Sequence, residues 1–180
     1  MIEGFILDVR FDKLTGRMIS WIVDEDGVTH RFEDSWTCTV HVRGERHRLV
    51  VLSETLQRLE YKNAFSIESC RFEQHLVDIE SNDCKEVLAI EVARCDKIPA
   101  LAQSILAAGS WHHLEIFSID PVASQRYLLD QGLHPLGRVR IAEGRLIPLD
   151  CRMSESNCLP KFRVLEIHVE CRDVSGHRSP

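Results

Sequence analysis

The sequence predicts an α+β fold with an N-terminal β-meander, a ferredoxin-like β-α-β-β-α-β core, and a helix, a hairpin and one more strand after the core. Three observations lead to this prediction. Short alternating apolar segments open the chain. From residue 37, strand-like and helix-like segments then follow the order β-α-β-β-α-β. A helical pattern, a hairpin signal and a β-branched segment occupy the rest.

The bulk composition is that of a water-soluble globular chain. Its 180 residues are 44% hydrophobic and 28% charged, and no apolar run reaches the roughly 18 to 20 residues that span a bilayer. The first residues do not resemble a signal peptide, so we expect a cytoplasmic protein without a membrane partner. The seven cysteines are scattered without a C-x-x-C pair, which favours reduced thiols over structural zinc. The net charge of −6 argues against a free-standing nucleic-acid binder.

The meander is predicted over residues 1–36. Segments 5–11, 18–23 and 28–32 read as strands, and Asp-Glu-Asp-Gly at 24–27 is a hairpin signal. Three antiparallel strands with short loops would form a small sheet.

The first half of the core is predicted from residue 37. TCTVHV (37–42) reads as a strand, and residues 53–61 as a short helix with Ser53 as its N-cap. A strand pattern returns over residues 64–79.

The second half of the core ends at residue 120. EVLAIEVAR (86–94) is a strong strand signal, and it contains no aromatic residue, which disfavours the base stacking used by RNA-recognition motifs of this fold. Residues 96–109 predict a helix that Asp96 caps and Gly109 ends. HHLEIFSID (112–120) is expected to be the last core strand.

Residues 121–153 are expected to complete the domain. Asp120 and Pro121 predict the start of a helix that ends at Gly132, and a hairpin follows around 142–144. A linker at 154–157 then leads to a last strand.

That last strand, FRVLEIHVEC (162–171), carries three potential metal ligands. Glu166, His168 and Glu170 alternate with apolar residues and would share one face. His112 and His113 are adjacent, so in a strand they would point to opposite faces and would not share an ion.

Two short segments are rich in arginine. HVRGERHR (41–48) and RVRIAEGR (138–145) each contain three Arg and one Glu. Both are candidate phosphate contacts, and solvated loop arginines are an equally common explanation.

Four segments resemble parts of one known protein family. RYLLDQGLHPLG (126–137) matches a helix of the form R-Y-L-(I/L)-D-x-G-L-x-P, and RVLEIHVEC (163–171) stands where a strand of the form S-F-D-I-E-C follows. Residues 5–23 are similar to the opening hairpin, and residues 96–105 to the helix after the central strand. In this order they resemble the N-terminal region of archaeal-type family B DNA polymerases.

The resemblance implies that residues 154–180 are a linker and the start of an RNase H-like 3′→5′ exonuclease domain. The family's first exonuclease strand carries a D-x-E pair that helps to hold two divalent cations, and His168 and Glu170 occupy those positions here. Because imidazole is a poor ligand for Mg²⁺, we expect a degenerate, structural strand. Polymerase chemistry with Mg²⁺ would belong to a parent chain beyond Pro180, and no catalytic residue is expected here.

The family's N-terminal domain also has a pocket that captures uracil from the single-stranded template. Its positions, carried over by motif, are Phe11, Thr37, Cys38, Ile98, Pro121, Ala123, Arg126 and Tyr127. Such a pocket holds a flipped uracil through backbone amides and excludes the methyl group of thymine. Thr37, Cys38 and Ala123 replace prolines or aromatics of the family, so a wider pocket is expected and general template contact stands beside uracil sensing.

Two of these side chains, and the nearby Trp36, have structural alternatives. Tyr127 is as plausible in the core as facing a template, and Arg126 can form a salt bridge with Asp130 one turn later. Trp36 can offer a stacking face or lie at the edge of the core.

We therefore predict the N-terminal, template-contacting domain of a family B DNA-directed DNA polymerase. Its partners would be single-stranded template DNA and the exonuclease and palm domains of the same parent chain. One alternative is a stand-alone, catalytically inactive, polymerase-derived interaction module. Another is an unrelated ferredoxin-like small-molecule sensor, which a metabolite rather than DNA would stabilise.

Overall fold

A computed structural model describes residues 2–76, 83–110 and 112–149. Within these ranges the chain forms nine strands in two antiparallel sheets, together with four α-helices. The mixed α+β class is therefore confirmed. The predicted strand at 162–171 and the linker before it lie outside the described residues.

The first sheet has five strands in the spatial order β3-β2-β1-β8-β9. Its strands are β1 (Ile2–Asp12), β2 (Arg17–Val23), β3 (Thr29–Asp34), β8 (Arg138–Ala142) and β9 (Arg145–Pro148). The meander is thus part of a larger sheet, because β1 pairs with β8 from Ile2↔Ile141 to Phe5↔Arg138.

Both predicted hairpin turns of this sheet are present. The carboxylate of Asp24 accepts backbone N–H bonds from Asp26 and Val28, at 3.1 and 2.8 Å. At the second turn, Glu143 and Gly144 both have positive φ, 51° and 72°, as a two-residue hairpin of this type requires.

The second sheet has four strands in the order β5-β6-β4-β7, and every neighbouring pair is antiparallel. Its strands are β4 (Cys38–Gly44), β5 (Ile67–Leu76), β6 (Cys84–Val92) and β7 (Leu114–Phe117). On β4 the residues alternate: Cys38, Val40 and Val42 are buried, and the residues between them are partly exposed.

The first helix begins earlier than the sequence suggested. The helix α1 (Arg46–Leu56) starts inside the arginine-rich segment, and Ser53 is buried in its interior rather than at its N-cap. Leu49, Leu52 and Leu56 explain the difference, because their spacing creates an apolar face that extends the helix toward its N-terminus.

The second helix shortens the strand predicted from residue 64. The helix α2 (Leu59–Phe65) ends at Ser66, whose φ of 54° is left-handed, and β5 starts at Ile67. A left-handed residue at a C-cap stops a helix, so the strand cannot begin earlier.

The third helix has the predicted position but not the predicted cap. A single 3₁₀ turn, Cys95–Lys97, precedes α3 (Ile98–Ala108), and Gly109 ends it. No side chain caps the helix, because the Asp96 carboxylate is paired with Arg94 at 3.1 Å.

The fourth helix, α4 (Ala123–Asp130), starts two residues after Pro121. Gly132 follows with a φ of 63°. The chain then runs beside β1, where the backbone of Ile6 bonds two consecutive residues: the Ile6 N–H donates to the Gly137 carbonyl at 3.1 Å, and the Leu136 N–H donates to the Ile6 carbonyl at 3.0 Å. None of the helices in the described ranges is both long and apolar enough to cross a membrane.

Candidate nucleic-acid interface

The helix α4 is attached to the first sheet through Tyr127. This side chain is fully buried, its hydroxyl lies 3.0 Å from Oδ2 of Asp34 on β3, and its ring meets Trp36 edge-on at 5.7 Å. Burial, and then the negative charge of Asp34, raise the pKa of Tyr127 well above its ordinary value. Tyr127 and Trp36 are therefore core residues.

Arg126 attaches the same helix to the second sheet. Its guanidinium donates to the backbone carbonyls of Thr39 on β4 and Ser118 after β7, and only 9% of the residue is exposed. The alternative pairing with Asp130 is not formed; Asp130 instead accepts a hydrogen bond from Trp36 Nε1 at 3.2 Å. Arg126 is thus a structural clamp between backbone segments.

Ser118 occupies an unusual backbone conformation at this clamp. Its φ is 65°, a left-handed value that costs a non-glycine residue roughly 1 kcal/mol or more. Its carbonyl accepts from Arg126, and its hydroxyl lies 3.3 Å from Nδ1 of His41. The surrounding contacts fix this conformation and aim the hydroxyl at the open face of the sheet.

Cys38 lies in the core beside Cys95. Both thiols are free and buried. Their mutual hydrogen bond, followed by burial, raises the pKa of Cys38, and the same bond lowers that of Cys95. Cys38 starts β4 and Cys95 starts the 3₁₀ turn before α3, so this contact brings the two segments together.

The turn after β1 lies beside the same 3₁₀ turn. Arg94 donates to the carbonyl of Lys13 at 2.5 Å and is also paired with Asp96. Phe11 and Ile98 stand close in sequence to these two turns, and both belong to the packed core or its edge. The segments that carry Phe11, Cys38 and Ile98 are therefore neighbours.

The eight residues carried over from the family differ in exposure. Cys38, Ile98, Arg126 and Tyr127 are buried, whereas Phe11 and Ala123 are partly buried and pack against the core. Thr37 and Pro121 are exposed. The surface available to a ligand here is thus provided by Phe11, Thr37, Pro121 and the polar residues around them.

Two lysines accompany the turn after β1 and the 3₁₀ turn before α3. Lys13 and Lys97 make no ion pair within the described part of the chain. We name Phe11, Lys13 and Lys97 the hairpin patch. Unpaired cations near a partly exposed aromatic ring are what a single-stranded nucleic acid requires of a surface.

The arginine-rich segment 41–48, by contrast, is neutralised by acids. Arg43 pairs with Glu115, and Arg46 pairs with Glu86. Arg48 lies 3.3 Å from Glu45. These arginines are committed to neighbouring carboxylates.

Two of the three arginines in the second segment are neutralised in the same way. Arg138 lies 3.4 Å from Glu3 and 2.9 Å from Glu25, and Arg140 lies 2.6 Å from Glu3. Arg145 is exposed and makes no ion pair within the described residues, whereas phosphate contact by the other arginines of both segments would first require their ion pairs to open.

A groove runs between α4 and the open face of the second sheet. It has a volume of about 450 Å³. Its lining residues are Thr39, His41, Arg71, Glu73, Ser118, Pro121, Arg126, Leu129 and Asp130. Its lining includes both arginines and carboxylates, so it does not form a uniformly basic channel.

The open face also carries a cluster that sequence reasoning missed. His41 on β4 and Glu73 and His75 on β5 bring their ligand atoms within 4.8 Å of one another. Hydrogen bonds from His75 and then Arg71 lower the pKa of Glu73, whereas burial and then His75 lower the pKa of His41. Glu73 and His75 were visible as an i, i+2 pair; His41 joins them only through strand order.

The other candidate ligands do not form such a cluster among the described residues. His112 and His113 are exposed and belong to no group of three or more potential ligands. His168 and Glu170 lie outside the described residues, so their assignment to a degenerate exonuclease strand stays a prediction.

Comparison with known proteins identifies a structural relative. Neither protein-family models nor curated protein sequences give a match. Among solved structures, the fold is similar to the family B DNA polymerase from the hyperthermophilic archaeon Pyrobaculum calidifontis, with a TM-score of 0.61 and 13% identity. The match covers 78% of this chain and 18% of that chain, so this chain spans less than one fifth of the polymerase. The likeness is one of fold.

Proposed function

We propose that this chain is the N-terminal, template-contacting domain of a family B DNA polymerase. The main support for this proposal is the similarity of the fold to such a polymerase over 78% of the chain. The strand order β5-β6-β4-β7, with helices after β4 and β6, supports a ferredoxin-like unit within that domain. Catalysis with Mg²⁺, and the exonuclease and palm domains as neighbours, are proposed for the parent chain.

The hairpin patch is the proposed contact with single-stranded template. Lys13 and Lys97 can approach phosphates without breaking an ion pair of the described residues, and Phe11 can pack against a base. Five of the six arginines in the two arginine-rich segments would have to release their carboxylates first. The overall charge of −6 limits affinity, so we expect weak binding that other polymerase domains reinforce.

Fluorescence anisotropy with a labelled single-stranded oligonucleotide tests this contact. The double variant Lys13→Ala/Lys97→Ala is expected to bind more weakly and to lower the slope of log affinity against log salt by about 0.7 for each lost phosphate contact. The matched control is Arg58→Ala/Lys85→Ala, which removes the same charge from exposed positions elsewhere. Equal losses in both double variants would contradict a specific role for the patch.

Uracil recognition is the finer part of the proposal, and it requires a second comparison. An oligonucleotide with deoxyuridine is expected to bind more tightly than its thymidine twin, and Ile98→Ala should remove the difference. Leu14→Ala is the control, because Leu14 is 93% exposed on the neighbouring turn. Equal affinities of the two oligonucleotides would restrict the role to general template contact.

A further inference from the structure

The open face of the second sheet brings two imidazoles and one carboxylate to a single point. Nε2 of His75 lies 2.9 Å from Oε2 of Glu73, and Nε2 of His41 lies 3.8 Å from the same oxygen. The two imidazole ring centroids are 4.5 Å apart. Three potential ligands from two strands thus face one another.

We propose that His41, Glu73 and His75 form a binding site for a divalent transition-metal cation, with zinc as the fitting ion. Zinc binds imidazole nitrogen and carboxylate oxygen at about 2.0 to 2.2 Å, and ligand atoms around a tetrahedral ion are therefore roughly 3.4 Å apart. The two nitrogen–oxygen distances fall on either side of that value, so small side-chain rotations complete the site.

The three ligands are held in place by neighbouring groups. With its proton on Nδ1, His41 donates to the Ser118 hydroxyl and leaves the lone pair of Nε2 directed at the site. This arrangement is the usual one for a metal-bound histidine, whose second nitrogen is fixed by a hydrogen bond.

Glu73 is oriented from the other side by a chain of contacts. Arg71 pairs with both Glu73 and Glu91, and Glu91 accepts a hydrogen bond from the Ser69 hydroxyl at 2.7 Å. Arg71 and Arg126 both line the same groove, and Glu91 pairs with Arg71. Arg71 bonds Oε1 of Glu73, so Oε2 is the oxygen that faces the two imidazoles.

The composition of the site decides which ions it prefers. Two imidazoles and one carboxylate suit zinc, copper or nickel, whereas magnesium prefers oxygen ligands alone. The site faces the groove between α4 and the sheet. Three protein ligands leave a fourth position for water or for an anionic ligand. The three ligands lie outside the hairpin patch, so zinc binding and the proposed DNA contact can be tested separately.

Metal binding is measured directly on the full chain after removal of metals with a chelator. Competition against a chromophoric zinc indicator is expected to show one saturable site per chain, with no competing effect of magnesium. His75→Ala and Glu73→Gln are expected to weaken zinc binding at least about tenfold. The control is His112→Ala, which removes an exposed histidine that belongs to no group of potential ligands among the described residues.

Cobalt substitution separates this site from the cysteines. Cobalt bound by His41, Glu73 and His75 is expected to show visible ligand-field bands without a sulfur-to-cobalt charge-transfer band, and His75→Ala should remove them. Circular dichroism of each variant checks the fold. Unchanged zinc affinity in His75→Ala and Glu73→Gln would overturn the proposal. A sulfur charge-transfer band in the cobalt-loaded chain without substitutions would overturn it as well.

Discussion

The two faces of the second sheet come from alternating residues of the same strands, and they are stabilised in different ways. On β4, Val40 and Val42 are fully buried on the face that the helices cover. Thr39 precedes Val40, and His41 lies between the two valines. Both side chains lie on the open face and are partly buried. The covered face depends on packing, whereas the open face depends on charged and hydrogen-bonded side chains.

The covered face can be recognised from local sequence, because each of its apolar residues needs only to be buried and does not need a specific partner. The open face depends on partners that are distant in sequence: Arg71 on β5 pairs with Glu91 on β6. Its side chains find each other only when strand order and register are fixed. Packing therefore sets the stability of this sheet, and the pairs across the open face set its chemistry.

The largest expected effect is on the covered face. Ile90→Ala removes a side chain with no exposed area and is expected to lower the free energy of unfolding by about 2 to 5 kcal/mol, through lost burial and the cavity left behind. Chemical denaturation measures the change. Glu91→Ala, at the next residue on the opposite face, is the control. A larger loss of unfolding free energy in Glu91→Ala than in Ile90→Ala would mean that the open face contributes more to stability than the covered face.

An intermediate effect is expected where α4 joins the open face. Arg126→Met keeps much of the side-chain length but leaves the carbonyls of Thr39 and Ser118 without their donor. Hydrogen bonds to charged groups contribute about 1.5 to 3 kcal/mol, so a loss of that size in the free energy of unfolding is expected. Arg145→Met, at an exposed position of β9, should change it little. Equal stability of the two variants would show that the clamp contributes nothing.

The smallest effect is expected at the edge of the open face. Glu115→Gln removes the partner of Arg43, and the Glu115 side chain is 57% exposed. An exposed pair of this kind contributes about 0 to 1 kcal/mol and is screened by salt. Thermal unfolding at low and high salt should show a difference that disappears as salt is added. A loss comparable to that of Ile90→Ala would mean that the open face also carries the fold.

Much of the fold was accessible from the sequence because its signals are local. The alternation on β4 and the Asp-Gly turn after β2 each predicted the element that formed. The sequence predicts the start of α1 too late in the chain, because the first turn of this helix is rich in charge. Its apolar face becomes evident only with Leu49. Polar residues at a helix start resemble a loop when burial is unknown.

The candidate sites were less accessible, because side-chain direction depends on tertiary contacts. Sequence spacing favoured Asp130 as the partner of Arg126, yet the guanidinium turned toward two backbone carbonyls. His41 belongs to a segment that reads as basic, and only the pairing of β4 and β5 with β6 between them places it near Glu73. No local pattern encodes such an approach.

The position of α4 has a consequence for how the protein loses its structure. Tyr127 bonds Asp34 on β3, and the next residue toward the N-terminus, Arg126, bonds the carbonyl of Thr39 on β4. Neither sheet can open at this point without breaking a bond to the same helix. We therefore expect this short helix to couple the two sheets into one cooperative unit, so that hydrogen exchange in both sheets should report a common transition.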